Sequence, residues 1–114
     1  MKRFLSIEEL RKKAQSSVPK MFFDYCESGS WDEESLNINI SDLKKIQFKP
    51  RVVRNLSNRN TKITLLGEEF GMPIGLSPCG LTGMQHADGE IHAAKAAEKF
   101  QIPFTLSTMS IVSI

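Results

Sequence analysis

Met72-Pro73-Ile74-Gly75-Leu76-Ser77-Pro78 decides the fold, because a short apolar run bounded by turn residues is what a buried parallel strand requires. A loop containing Gly80 and Gly83 follows it. Asp88 then caps a helix predicted to run to Phe100, in which Ile91, Ala94, Lys95 and Ala97 make a face of small residues able to press closely on a sheet. Ile102-Pro103-Phe104-Thr105-Leu106-Ser107 reads as a second buried strand. Strand, helix, strand is a βαβ unit with an expected right-handed crossover.

Upstream, the pattern changes to short helices and one hairpin. Ser6 with Glu9 forms a capping-box pattern at the start of a helix over 7–14, where Ile7 and Leu10 share a face. Pro19 suits the first turn of a helix over 20–27, carrying Met21, Phe22 and Tyr25 and broken by Ser28-Gly29. Asp32 is the expected cap of a third helix, with Leu36, Ile40 and Leu43 along one side, ending near Lys45. After Phe48-Lys49-Pro50-Arg51, the β-branched run 61–66 and the piece 68–70 between Gly67 and Gly71 predict a hairpin. Arg51 and Arg54 are read as solvated surface charges rather than a phosphate site.

Composition narrows the function classes. The 114 residues are 40% apolar and 25% charged, with a net charge of +2, too small a field for a nucleic-acid partner. Cys26 and Cys79 lie far apart in a chain whose first residues are followed by no continuous apolar run, which predicts a reducing, cytoplasmic setting. No run approaches the ~20 apolar residues of a membrane-spanning helix, so any membrane attachment would be peripheral. His86 and His92, six residues apart, are a poor metal pair on a helix, and no metal site is expected. Two parallel strands with one covering helix leave outer edges that need neighbours. The expected account is a longer parent of which this chain is the N-terminal piece; the alternative is a stand-alone α/β interaction module without catalysis.

The string from Pro73 to Met84, followed by His86-Ala87-Asp88-Gly89-Glu90 and Ala93-Ala94-Lys95-Ala96-Ala97, resembles the first strand, loop and helix of the FMN-dependent 2-hydroxy-acid dehydrogenases and oxidases. Phe23-Asp24-Tyr25 with Ser28-Gly29, Phe48-Lys49-Pro50-Arg51 and Leu106-Ser107-Thr108-Met109-Ser110 are similar to further motifs of that family, in the same order. The Gly-Leu-Thr-Gly-Met loop and the Ser-Thr-Met-Ser strand end look most similar to bacterial L-lactate dehydrogenases.

The resemblance implies the N-terminal portion of a (β/α)8 barrel of the α/β class, with sites at the C-terminal ends of its strands. Residues 1–47 would be N-terminal helices, 48–71 the approach and hairpin, and 72–114 the first two barrel strands with their helix. It implies FMN as cofactor, with the backbone of Pro78, Cys79 and Gly80 against the flavin ring and Ser107 bonded to its pyrimidine side. Cys79 stands where relatives often have Thr, and Gly80 where many have Ala; Gly there tends to accompany dehydrogenases that pass electrons to a partner. Met109 would line the substrate pocket, and the Tyr25 hydroxyl would help hold the carboxylate of a small 2-hydroxy acid. The family's base histidine, arginines, flavin-side lysine and phosphate loops lie in motifs this sequence lacks. The chain alone is therefore expected to bind FMN weakly or not at all and to be inactive, while the parent, a homo-oligomer by resemblance, oxidises L-lactate or a related acid using an electron acceptor the sequence does not identify.

Overall fold

The computed structural model describes residues 4–113 and divides into two compact units, Met1–Ser57 and Asn58–Ile114. Among the described residues the first unit holds three helices, α1 (Ile7–Ser17), α2 (Lys20–Glu27) and α3 (Glu34–Lys45). Ser6 Oγ accepts from the Glu9 N–H at 3.2 Å, as the capping pattern predicts. The return bond goes one residue further out than in a capping box, with the Leu5 N–H donating to Glu9 Oε2 at 3.0 Å. Arg11 Nε donates to Glu27 Oε2 at 2.6 Å, joining α1 to α2.

Two expectations for this unit fail. Asp32 does not cap α3: that position belongs to Glu33, which lies in the left-handed region at φ 59° and makes no side-chain cap bond. Its carboxylate instead accepts from the Gly29 N–H at 2.9 Å, closing the loop between α2 and α3. Gly29 does not end α2 by conformational freedom, since Ser28 is the cap and is extended. Gly29 is needed for closeness, because a Cβ there would lie 3.2 Å from Leu36 Cβ.

The second unit opens with the antiparallel pair β1 (Ile63–Leu65) and β2 (Glu68–Phe70), registered Ile63 with Phe70 and Leu65 with Glu68. Two residues connect them, Leu66 at φ 53° and Gly67 at φ 87°. Positive φ at both positions is the type I′ condition, whose backbone twist matches that of a two-stranded ribbon. The hairpin's exit is fastened to the chain at Phe100 and Gln101: the Gly71 N–H donates to Gln101 O at 2.8 Å, and a Cβ on Gly71 would sit 2.9 Å from Phe100 O.

The parallel pairing exists but is shorter than expected. Leu76 and Phe104 form a single parallel bridge, with the Leu76 N–H donating to Pro103 O at 2.9 Å and the Thr105 N–H to Leu76 O at 3.1 Å. Pro73, Pro78 and Pro103 have no N–H to extend the ladder. The bond from Ile74 N–H to Met72 O at 2.9 Å folds the entry into a tight turn around Pro73. Neither run is buried as a central strand would be: Leu76 and Phe104 are half-buried and Ile74 is exposed.

Between the two runs lie a short helix, α4 (Thr82–Gln85), absent from the sequence reading, and α5 (Gly89–Phe100). Asp88 occupies the cap position of α5, as expected, but in a left-handed conformation and without a side-chain cap bond. The face of α5 that packs inward is Glu90, Ala93, Ala94 and Ala97 rather than the expected Ile91 and Lys95, which are exposed. Ala97 is 1% exposed and is the deepest apolar residue among those described.

Leu66 is a non-glycine residue held at positive φ and exposed, a position where Asn is much better tolerated. Leu66→Asn is expected to stabilise the chain by about 1 kcal/mol. A raised urea midpoint checks it; no change would show that the turn contributes nothing to the cooperative unit.

Candidate functional site

The bridge at Leu76 and Phe104 sets two chain segments side by side, and the residues that follow each segment meet beyond it. A Cβ on Gly80 would lie 3.2 Å from Met109 Cβ and 3.8 Å from Ser107 Oγ, so three of the sequence-predicted residues converge. The Leu81 N–H donates to Met109 O at 3.0 Å, tying the two loops by their backbones. Ser107 Oγ accepts from the Met109 N–H at 3.1 Å, which leaves the hydroxyl proton to donate elsewhere. Gly80 and Ser107 are half-buried; Pro78, Cys79 and Met109 are exposed. Tyr25 belongs to the other unit, on α2, and is 63% exposed.

A cavity of about 180 Å³ lies beside this convergence, with Leu76, Phe104 and Leu106 as apolar lining and Cys79, Ser107 and Glu90 as polar lining. Pockets that enclose a ligand run from roughly 300 to 1,000 Å³. A half-buried hydroxyl with a free donor and a glycine backbone beside an apolar hollow suit one edge of a planar ring, and the volume is too small to take a whole nucleotide.

Glu90 is the site residue that sequence reasoning missed. It is 4% exposed, and its Oε1 accepts from the Gly83 N–H at 3.1 Å and the Ile111 N–H at 3.2 Å, while Oε2 is buried without a partner among the described residues. Its carboxyl is held below the ordinary carboxylate value, first by its own N–H and then by those of Ile111, Gly83 and Thr82, against the opposing effect of desolvation. A signal was available: Glu90 is three and seven residues from Ala93 and Ala97, on the small-residue face of the helix. His86 and His92 meet edge to face at 5.4 Å, closer than their spacing in sequence predicts, but the described residues contain no cluster of three or more metal-ligating groups. No described helix is long and apolar enough to cross a membrane.

Comparison with known proteins decides what this arrangement belongs to. The family model described as FMN-dependent dehydrogenase matches residues 14–114. The chain belongs to the FMN-dependent dehydrogenase family. L-lactate dehydrogenases of Ectopseudomonas mendocina and Stenotrophomonas maltophilia are 42% and 43% identical to it over 106 residues, 93% of this chain and 28% of each relative. Among solved structures, mandelate oxidase superposes with a TM-score of 0.89 at 31% identity, covering 97% of this chain and 32% of that one. A monotopic membrane protein, (S)-mandelate dehydrogenase, superposes at 0.88 with 36% identity, covering 98% and 30%. The chain thus spans under a third of the length of these relatives. Its fold is the α/β start of a (β/α)8 barrel, as expected from the sequence, and FMN is the family's cofactor.

Because the folded-state value of Glu90 lies below its unfolded value, its contribution to stability is present above the unfolded value and lost as pH falls through the folded one. Urea midpoints of the wild type should therefore fall more steeply than those of Glu90→Gln as the pH drops below the ordinary carboxylate range. Parallel pH profiles would show that the carboxylate is not selectively held in the folded state.

Proposed function

We propose that this chain supplies the first strand ends of an FMN-dependent enzyme that oxidises an L-2-hydroxy acid, L-lactate above others, to the 2-oxo acid. The observation that carries the reading is the convergence of Gly80, Ser107 and Met109 where the two parallel segments end. The identity to L-lactate dehydrogenases over 93% of the chain supports lactate over mandelate.

FMN, when bound, supplies the two-electron acceptor of the oxidation. The chain's own residues then bind and orient. The Pro78, Cys79 and Gly80 backbone forms a surface without bulk against the ring, and the remaining Ser107 donor meets a polar atom at the ring edge. Met109 forms a pliable wall for the substrate. Tyr25 donates its phenolic O–H to the substrate carboxylate, a directed bond from an amphipathic ring. No residue of this chain is proposed as the base that takes the hydroxyl proton, and His86 and His92 have no catalytic part. By itself the 114-residue chain holds FMN weakly or not at all and does not turn over. The parent is proposed to be cytoplasmic and homo-oligomeric, with peripheral association at the inner face of the membrane supported by the monotopic (S)-mandelate dehydrogenase.

A chimera tests this reading. Residues 14–113 should replace the matching segment of the Stenotrophomonas maltophilia L-lactate dehydrogenase with retention of FMN and of L-lactate oxidation. In that chimera Tyr25→Phe should raise KM for L-lactate by roughly tenfold or more, the loss of one hydrogen bond to a charged group. A chimera that retains FMN but oxidises other 2-hydroxy acids and not L-lactate would refute the substrate assignment.

A further inference from the structure

Glu90 raises a question that the residues around the cavity do not answer. A carboxylate on the inner face of a helix is costly to bury unless it is well bonded, yet only one of its oxygens is used. That oxygen receives two N–H groups separated by 28 residues of chain, Gly83 in the helix after the first parallel segment and Ile111 in the turn after the second. Gly83 makes the arrangement sterically possible: a Cβ there would lie 3.1 Å from Glu90 Oε2 and 3.2 Å from Ile111 Cβ. The second segment is itself folded tightly, with the Ser110 N–H donating to Ser107 O at 3.1 Å and Ser110 Oγ to Val112 O at 2.7 Å. It therefore transmits the position of Ile111 back to Ser107. On the other side, α4 is four residues long, and Leu81, which precedes it, is held at φ 56° with its N–H on Met109 O. A helix of this length has no stability of its own. Its place is set by what it is tied to.

We propose that Glu90 is a positioning residue: its single oxygen joins the two strand-end loops and so fixes the separation between Gly80 and Ser107. Calling that separation the width of a flavin-facing edge rests on the function proposed above. The tie itself does not depend on it.

The test uses the full chain, labelled with nitrogen-15, and follows amide hydrogen exchange residue by residue. Glu90→Asp keeps the charge at the start of α5 but withdraws the oxygen by one methylene. It should speed exchange at both the Gly83 and Ile111 amides on the order of ten- to a hundredfold, the loss of bonds to a charged acceptor. The Leu81 and Met109 amides should follow, while Val18 and Ser28 in the first unit stay unchanged. Glu90→Gln retains a neutral acceptor oxygen at the same reach and should keep most of the protection that Glu90→Asp loses at both amides. Exchange at Gly83 and Ile111 left unchanged in Glu90→Asp would overturn the proposal, as would equal loss along the whole of α5, which would mark a residue of general stability. In the lactate dehydrogenase chimera, Glu90→Asp should weaken FMN retention and Glu90→Gln should recover it. A chimera that holds no FMN with Glu90 intact counts against the proposed function and leaves the exchange result standing.

Discussion

Everything at the candidate site depends on two hydrogen bonds, Leu76 N–H to Pro103 O and Thr105 N–H to Leu76 O. They fix which residues of the first parallel segment stand opposite which of the second, and hence that Gly80 comes level with Ser107 and Met109. Three prolines keep this pairing from lengthening. Close approach compensates for the lost ladder: a Cβ on Gly75 would lie 3.0 Å from Pro103 Cγ, and one on Gly89 2.8 Å from Thr82 O. Backbones pressed together at glycines, with side-chain ties across the loops, hold a geometry that two ladder bonds alone would leave loose.

Such an arrangement presents polar groups at an open edge without enclosing a ligand. The apolar residues of the paired segments are half-buried or exposed, and the hollow beside them is smaller than a cofactor. The relatives that the chain matches are more than three times as long. In a (β/α)8 barrel each strand end contributes a few contacts, and a pocket emerges only from several together. The function proposed for this chain is correspondingly a share of a site: an edge for the ring, one hydroxyl donor, a pliable wall and a phenol.

Much of this was legible in the residues, and the failures have physical causes. Ser6 with Glu9, the turn at Gly67 and the small-residue helix ending at Phe100 were readable because local geometry alone determines them. The motif string around Pro78 and Ser107 was readable because several weak signals held a consistent spacing. What local signals could not supply was anything fixed from a distance. α4 carries an interior glycine and no side-chain cap, and exists through ties to Met109 and Glu90. Asp32 looked like a cap and was displaced by Glu33, whose carboxylate accepts from the Gly29 N–H across the loop. Glu90 was not legible as a site residue because its partners, the Gly83 and Ile111 N–H groups, lie in separate segments before and after it.

The central claim is that these strand ends form one edge of an FMN site and cannot close around the cofactor. Gel filtration of the purified 114-residue chain after incubation with excess FMN tests it most directly, with flavin absorbance read across the protein peak. The account predicts a protein peak without flavin. Stoichiometric flavin eluting with the monomeric chain would contradict it.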